Sequence, residues 1–150
     1  MSRADTDPAR CRTPAAGAAE PPVRTAAQAR AAVAAVLGRR PAADERLHGD
    51  ACLAVTELVT NAIRHAGGVT GFAVRGEPDG GPLTIEVEDS ADAHPHGGTD
   101  LLQDPARPGG RGWPLVQLLS SSWEIHPLPE GGKRIRVTLA PTGRRGADAC

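Results

Sequence analysis

Aromatic side chains are nearly absent from this 150-residue chain: there is no tyrosine, one phenylalanine (Phe72) and two tryptophans, Trp113 and Trp123. Any core must therefore be aliphatic, built from Leu, Val, Ile and Ala. Lysine is rarer still. All but one of the 17 basic residues are arginine, the exception being Lys133, and the bias, beside abundant Ala, Gly and Pro, matches GC-rich coding. The formal net charge is -1, so the chain lacks the broad positive field that draws a protein to nucleic acid or to an anionic membrane surface. No apolar run approaches the ~18 residues of a membrane helix, and the first residues lack the apolar centre of a signal peptide. A cytoplasmic protein with no direct nucleic-acid or membrane partner is expected. Cys11, Cys52 and Cys150 show no metal-ligand spacing, three cysteines in a cytoplasmic chain do not suggest a disulfide framework, and Cys52 reads as a small buried hydrophobe. His94 and His96 flank Pro95 without a third ligand, which is weak evidence for a metal.

What remains is enough for one domain, since a chain of this length buries roughly 68–70% of its unfolded surface. Residues 1–22 are rich in Ala, Pro, Arg and Asp without a periodic apolar face, and are expected to be a disordered tail. Residues 23–140 form the domain and 141–150 a polar tail. A first helix runs from Thr25 to a stop at Gly38, with Ala26, Arg30, Val33 and Leu37 at helical spacing. Asp44 caps a second, long helix in which Leu47, Ala51, Ala54, Leu58 and Ala62 trace one stripe, ended by Gly67-Gly68. Residues 69–75 and 83–88 read as strands around a turn at Pro78-Asp79-Gly80-Gly81. Residues 90–109 carry no pattern, and a loop of that length in a small domain is usually either functional or disordered. A third helix spans 112–120, with Pro114 tolerated in its first turn, and strands follow at 123–127 and 134–139. The order predicts an α+β fold: a two-layer sandwich with a mixed, mostly antiparallel sheet and helices on one face.

Three places along this order carry chemistry. On the long helix Glu57 and Asn61 stand one turn apart, with Arg64 and His65 a turn further on. A carboxylate and a carboxamide stacked in this way suit a hydrated divalent cation and a nucleophile; the plainer interpretation is the solvated face of an amphipathic helix. Asp89 closes the second strand, where a carboxylate accepts a hydrogen bond from an exocyclic amine; the plainer interpretation is a strand-ending Asp-Ser turn. Gly109-Gly110-Arg111-Gly112 leads directly into the third helix. Backbone N–H groups at a helix N-terminus, approached through glycines and beside an arginine, suit a phosphate; the plainer interpretation is a flexible hinge with a solvated arginine. There is no Walker lysine motif and no protein-kinase signature.

Glu57-Leu-Val-Thr-Asn61-Ala-Ile-Arg-His65-Ala, followed by Asp89 and by Gly110-Arg-Gly-Trp-Pro-Leu-Val116, resembles the GHKL superfamily of gyrase, heat-shock, histidine-kinase and mismatch-repair ATPases. Within it the chain is most similar to small actinobacterial anti-sigma regulatory factors with a serine-kinase-like ATP-binding domain, over about residues 25–140. The resemblance implies the Bergerat-type ATP-binding fold, ATP and Mg²⁺ as cofactors, and a role for each matching residue. Asn61 would bind the Mg²⁺, Glu57 would be the general base, Asp89 would read the adenine amine, and Gly110, Arg111 and Gly112 would cap the phosphates, with 90–109 as a lid and Arg64 as a further phosphate contact. The chain departs from the pattern at Ala91 and Ala93, where the family has glycines, at Trp113-Pro114, where an aliphatic pair is usual, and at Gly132-Lys133, where many members have Gly-Thr. The last exchange predicts an intact strand that has lost a polar contact to the site.

Two functions follow as expectations. The first is a protein serine/threonine kinase that phosphorylates an anti-anti-sigma (STAS-type) protein and sequesters a sigma factor, a partner switch driven by added charge. The alternative is a non-catalytic module, ATP-binding or nucleotide-independent, that acts by docking. A detached histidine-kinase catalytic part fits less well, because the chain has no phosphoacceptor helix pair. The Ala/Val face of the first helix would suit a homodimer.

Overall fold

The computed structural model describes residues 22–96 and 112–143. The first helix, α1 (Ala26–Leu37), begins with a capping box: Thr25 Oγ1 accepts from the Gln28 N–H at 3.1 Å and Gln28 Oε1 accepts from the Thr25 N–H at 3.1 Å. The second, α2 (Glu45–Ala66), is capped by Asp44, whose Oδ1 accepts from the Leu47 N–H at 3.0 Å, and ends on Gly67 in the left-handed region at φ 76°. Its 22 residues make a rod about 33 Å long. Leu47, Ala51, Ala54, Leu58 and Ala62, the stripe expected from spacing, are all buried, joined by Val55 and Val59.

Four strands follow: β1 (Gly71–Glu77), β2 (Gly80–Asp89), β3 (Ser122–Pro127) and β4 (Lys133–Leu139), with α3 (Gly112–Leu119) between the middle two. They form one sheet in the order β1-β2-β4-β3, and every pairing is antiparallel, so the mixed element of the expected sheet does not occur among the described residues. The starts of the first two strands move by two and three residues. β1 starts at Gly71, because Gly67 and Gly68, both at positive φ, turn the chain out of α2 before it reaches the sheet. β2 starts at Gly80, because Pro78 and Asp79 alone make the turn and the two positive-φ glycines continue the strand past an irregularity at Gly76/Glu77.

Register sorts the residues by parity. Leu83, Ile85 and Val87 of β2 lie opposite Leu139, Val137 and Ile135 of β4, and all six are buried on the face toward the helices. Complete burial of each such side chain contributes about 1.5–3 kcal/mol. The other face is polar and carries a charge lattice around Glu86, itself buried: Glu86 takes Arg136 at 2.8 Å, and Glu88 takes the Arg134 Nε–H at 2.7 Å. Cys52 is half-buried and packs against the core. Beyond β4 the chain turns back to α2, where the Thr142 N–H donates to Asp44 Oδ2 at 2.8 Å and the Thr142 hydroxyl donates to Oδ1. No described helix is long and apolar enough to cross a membrane.

Candidate functional site

The C-terminal half of α2 brings Glu57 and Asn61 to the same side, both half-buried. Their position follows from the stripe: with Leu58 and Ala62 turned into the core, the residues one position before each lie at the edge of the helix's buried face. Among the described residues no hydrogen bond or ion pair engages either side chain. They face the start of α3. A methyl group built on Gly112 would overlap the Glu57 carboxylate, lying 3.3 Å from its Cδ, and would sit 3.6 Å from Asn61 Oδ1. Gly112 is therefore the point at which α3 approaches α2, and only a residue without Cβ leaves both side chains where they are. The sequence predicts a phosphate site from the glycines before this helix; the abutment of Gly112 on Glu57 and Asn61 carries no such local signal.

The first turn of α3 is shaped by the residues after that glycine. Pro114 sits where a helix needs no N–H donor. Trp113, Pro114 and Val116 are buried, and the Trp113 ring packs edge-on against Trp123 of β3 with centroids 5.1 Å apart and planes at 77°. Such a pair contributes about 0.5–1.5 kcal/mol beyond its burial. The aliphatic pair usual in the resembled family is thus replaced by an aromatic clamp joining α3 to the sheet edge. Gly110 and Arg111, expected to cap phosphates with Gly112, and the greater part of the expected lid lie outside the described residues.

Asp89 ends β2, buried at 5% exposure. Its Oδ1 accepts from the Ala91 N–H at 2.9 Å and from Lys133 Nζ at 2.8 Å, and Nζ also donates to the Ala91 carbonyl at 3.0 Å. Lys133 was expected to mark a lost polar contact. Instead it is itself buried and reaches the carboxylate, because the β2–β4 register sets it directly opposite. Asp92, to which sequence reasoning assigned nothing, accepts from the Gly132 N–H at 2.7 Å. Gly132, at φ 86°, lies against the backbone of Asp89 and Ser90. The β3–β4 turn is in this way fastened over the end of β2. Arg64 is exposed in the last turn of α2, with His65 beside it, where cations complement the helix dipole.

Two surface hollows lie elsewhere. One of about 450 Å³ opens on the charged sheet face, around Glu86, Trp123 and Arg136. The other, about 580 Å³, lies at the start of α2 beside Asp44 and Thr142. Neither includes Glu57, Asn61 or Asp89. The described residues hold no cluster of three or more His, Cys, Asp and Glu suited to a metal. A cation at Asn61 would therefore be one shared with a ligand. Glu57 and Asn61 supply the hard oxygens that Mg²⁺ prefers alongside water and phosphate, and Gly112 brings the start of α3 beside them, where the N–H groups of a helix N-terminus would suit a phosphate.

A long helix carrying Glu and Asn, a buried Asp closing a central strand, and a glycine-led helix meeting the first define a nucleotide-binding α+β sandwich. The chain belongs to the histidine kinase-like ATPase domain family, which matches residues 19–139. Membership implies ATP binding and the GHKL type of site. No curated protein matches the chain.

Proposed function

We propose that this protein is an ATP-dependent protein serine/threonine kinase of the anti-sigma type, which phosphorylates an anti-anti-sigma (STAS-type) partner and in doing so controls release or capture of a sigma factor. The observation that carries this reading is the pair Glu57 and Asn61, one turn apart, set against Gly112 and unengaged among the described residues. A pure docking module has no need of a carboxylate and a carboxamide held together at the start of a glycine-led helix.

ATP with Mg²⁺ supplies the phosphoryl group and neutralises its charge. The chain's own residues do the rest, since phosphoryl transfer asks a protein mainly for positioning and electrostatics. The Asn61 carboxamide oxygen is the metal ligand. The Glu57 carboxylate is the acceptor for the proton of the partner's serine hydroxyl, a role that typically contributes 10²–10⁴-fold. Asp89 orients the base through an exocyclic amine. Arg64, Arg111 and the backbone at Gly110 and Gly112 hold the phosphates. A soluble, cytoplasmic setting, with the sigma factor and a second copy of the chain as further partners, fits this role.

The test is incubation of the protein and a STAS-type substrate with Mg-ATP, comparing wild type with Glu57→Gln and Asn61→Ala. Phosphoserine on the partner is expected with wild type, at least 10²-fold slower formation with Glu57→Gln despite unchanged ATP binding, and loss of Mg²⁺-dependent binding with Asn61→Ala. A stable complex with no phosphoserine would overturn the kinase and establish the non-catalytic module.

A further inference from the structure

The helix-facing stripe of the two central strands is aliphatic on three successive rungs, Leu83 opposite Leu139, Ile85 opposite Val137 and Val87 opposite Ile135. The fourth rung is Asp89 opposite Lys133, the single lysine of the chain. Both side chains are only 6% exposed. A buried ion pair is not in itself a source of stability, since an apolar pair of similar volume commonly does as well or better. Its position at the end of an otherwise apolar stripe calls for another reason.

Two features of the pair point to a ligand. Among the described residues both hydrogen bonds that Asp89 accepts fall on Oδ1, from Ala91 N–H and Lys133 Nζ. That leaves Oδ2 as an acceptor. The lysine ammonium has three N–H donors, of which the described residues take two, through Asp89 and the Ala91 carbonyl. An acceptor and a donor thus stand side by side, fixed by a closed ring of contacts through the Ala91 backbone. The Watson–Crick edge of adenine offers the complement, an amine donor beside the N1 acceptor, whereas hypoxanthine in the same pose offers a carbonyl and an N–H.

We propose that Lys133 is a second base-reading residue, which positions Asp89 with one oxygen free for the adenine amine and donates its own remaining N–H toward N1. The assignment rests on the reading of Asp89 as the base-reading carboxylate. It makes the Asp89–Lys133 rung, and not Asp89 alone, the determinant of the base.

The experiment is calorimetric titration with Mg-ATP, Mg-inosine triphosphate and Mg-inorganic triphosphate. It uses wild type, Lys133→Met, Lys133→Arg and the double variant Asp89→Asn/Lys133→Met, with far-UV circular dichroism on each. Lys133→Met is expected to weaken ATP about ten- to a hundredfold, the worth of a hydrogen bond to a charged group. It should leave inorganic triphosphate unchanged and shrink the ATP preference over inosine triphosphate, and Lys133→Arg should restore part of that preference. Unchanged or tighter ATP binding by Lys133→Met would overturn the proposal, showing that the lysine is inert or merely occupies the carboxylate. Should that variant not fold, the double variant leaves neither buried partner alone, and an ATP preference retained by it overturns the proposal equally. Wild type that binds triphosphate but not the base removes the role of the rung. Wild type that binds neither removes the nucleotide site itself.

Discussion

Alanine at Gly132, compared with alanine at its neighbour Gly131, isolates what close approach costs at this site. Both glycines have positive φ, 86° and 93°. An L-residue pays about 1–2 kcal/mol for that conformation, so this part is common to the pair. The surroundings differ. Nothing lies within 4 Å of a methyl group at Gly131, whereas one at Gly132 would overlap the Asp89 carbonyl oxygen and lie 2.9 Å from Ser90 Cα. These are backbone atoms, which cannot rotate aside, and overpacking of that kind costs a further ~1–3 kcal/mol. Gly131→Ala should therefore lose about 1–2 kcal/mol and Gly132→Ala about 2–5 kcal/mol. With a urea slope of about 1–3 kcal/mol per M, the two midpoints should be roughly 1 M apart. Only Gly132→Ala should also weaken ATP binding, because the strain lands on Asp89. Equal midpoints for the two variants would refute the reasoning, as would a Gly131 variant less stable than its neighbour.

Gly112→Ala should act in the opposite sense, on function more than on stability. Alanine is better than glycine in a helix by up to about 1 kcal/mol, and the atom in its way belongs to the movable end of Glu57. The thermal midpoint should stay within a few degrees while phosphotransfer falls at least tenfold, and a fully active variant would contradict the placement of α3. At the far end of α2, burial alone would push the Asp44 carboxyl up. The hydrogen bonds from Thr142 and from the Leu47 N–H, with the Arg40 charge, more than offset this and hold it below its usual 3.8. Because the folded-state value is the lower one, its stabilisation is present above about 3.8 and fades as pH falls through the folded-state value. Asp44→Ala should therefore cost about 1–2 kcal/mol at pH 7, and the gap between variant and wild type should close in urea melts below pH 3.8.

The parts of the fold that depend on neighbours in sequence were legible. Asp44, the stripe from Leu47 to Ala62 and Gly67 all act within a turn or two, so α2 could be delimited from its own residues. The alternation of Leu83, Ile85 and Val87 likewise told the wet face of β2 from the dry one. Glu57 and Asn61 were readable as a pair for the same reason. Contacts set by register or docking were not. Lys133 meets Asp89 across 44 positions, and only the pairing of β2 with β4 reveals it. Thr142 reaches Asp44 across 98, so nothing in the composition of the chain's polar end marks it as anchored to α2. The β1 and β2 boundaries shifted because glycine both ends a helix and continues a strand, and local composition does not distinguish the two uses.

The edge-on stack of Trp113 and Trp123 has a spectroscopic consequence. With no tyrosine in the chain, these two indoles account for essentially all near-ultraviolet emission. At 5.1 Å their transitions couple, so the pair should give a near-ultraviolet dichroic signal of its own. One ring follows the glycine that meets Glu57 and Asn61, and the other is fixed to the edge of the sheet. Any movement of α3 relative to that edge is thus written into the light the protein emits, with no label attached.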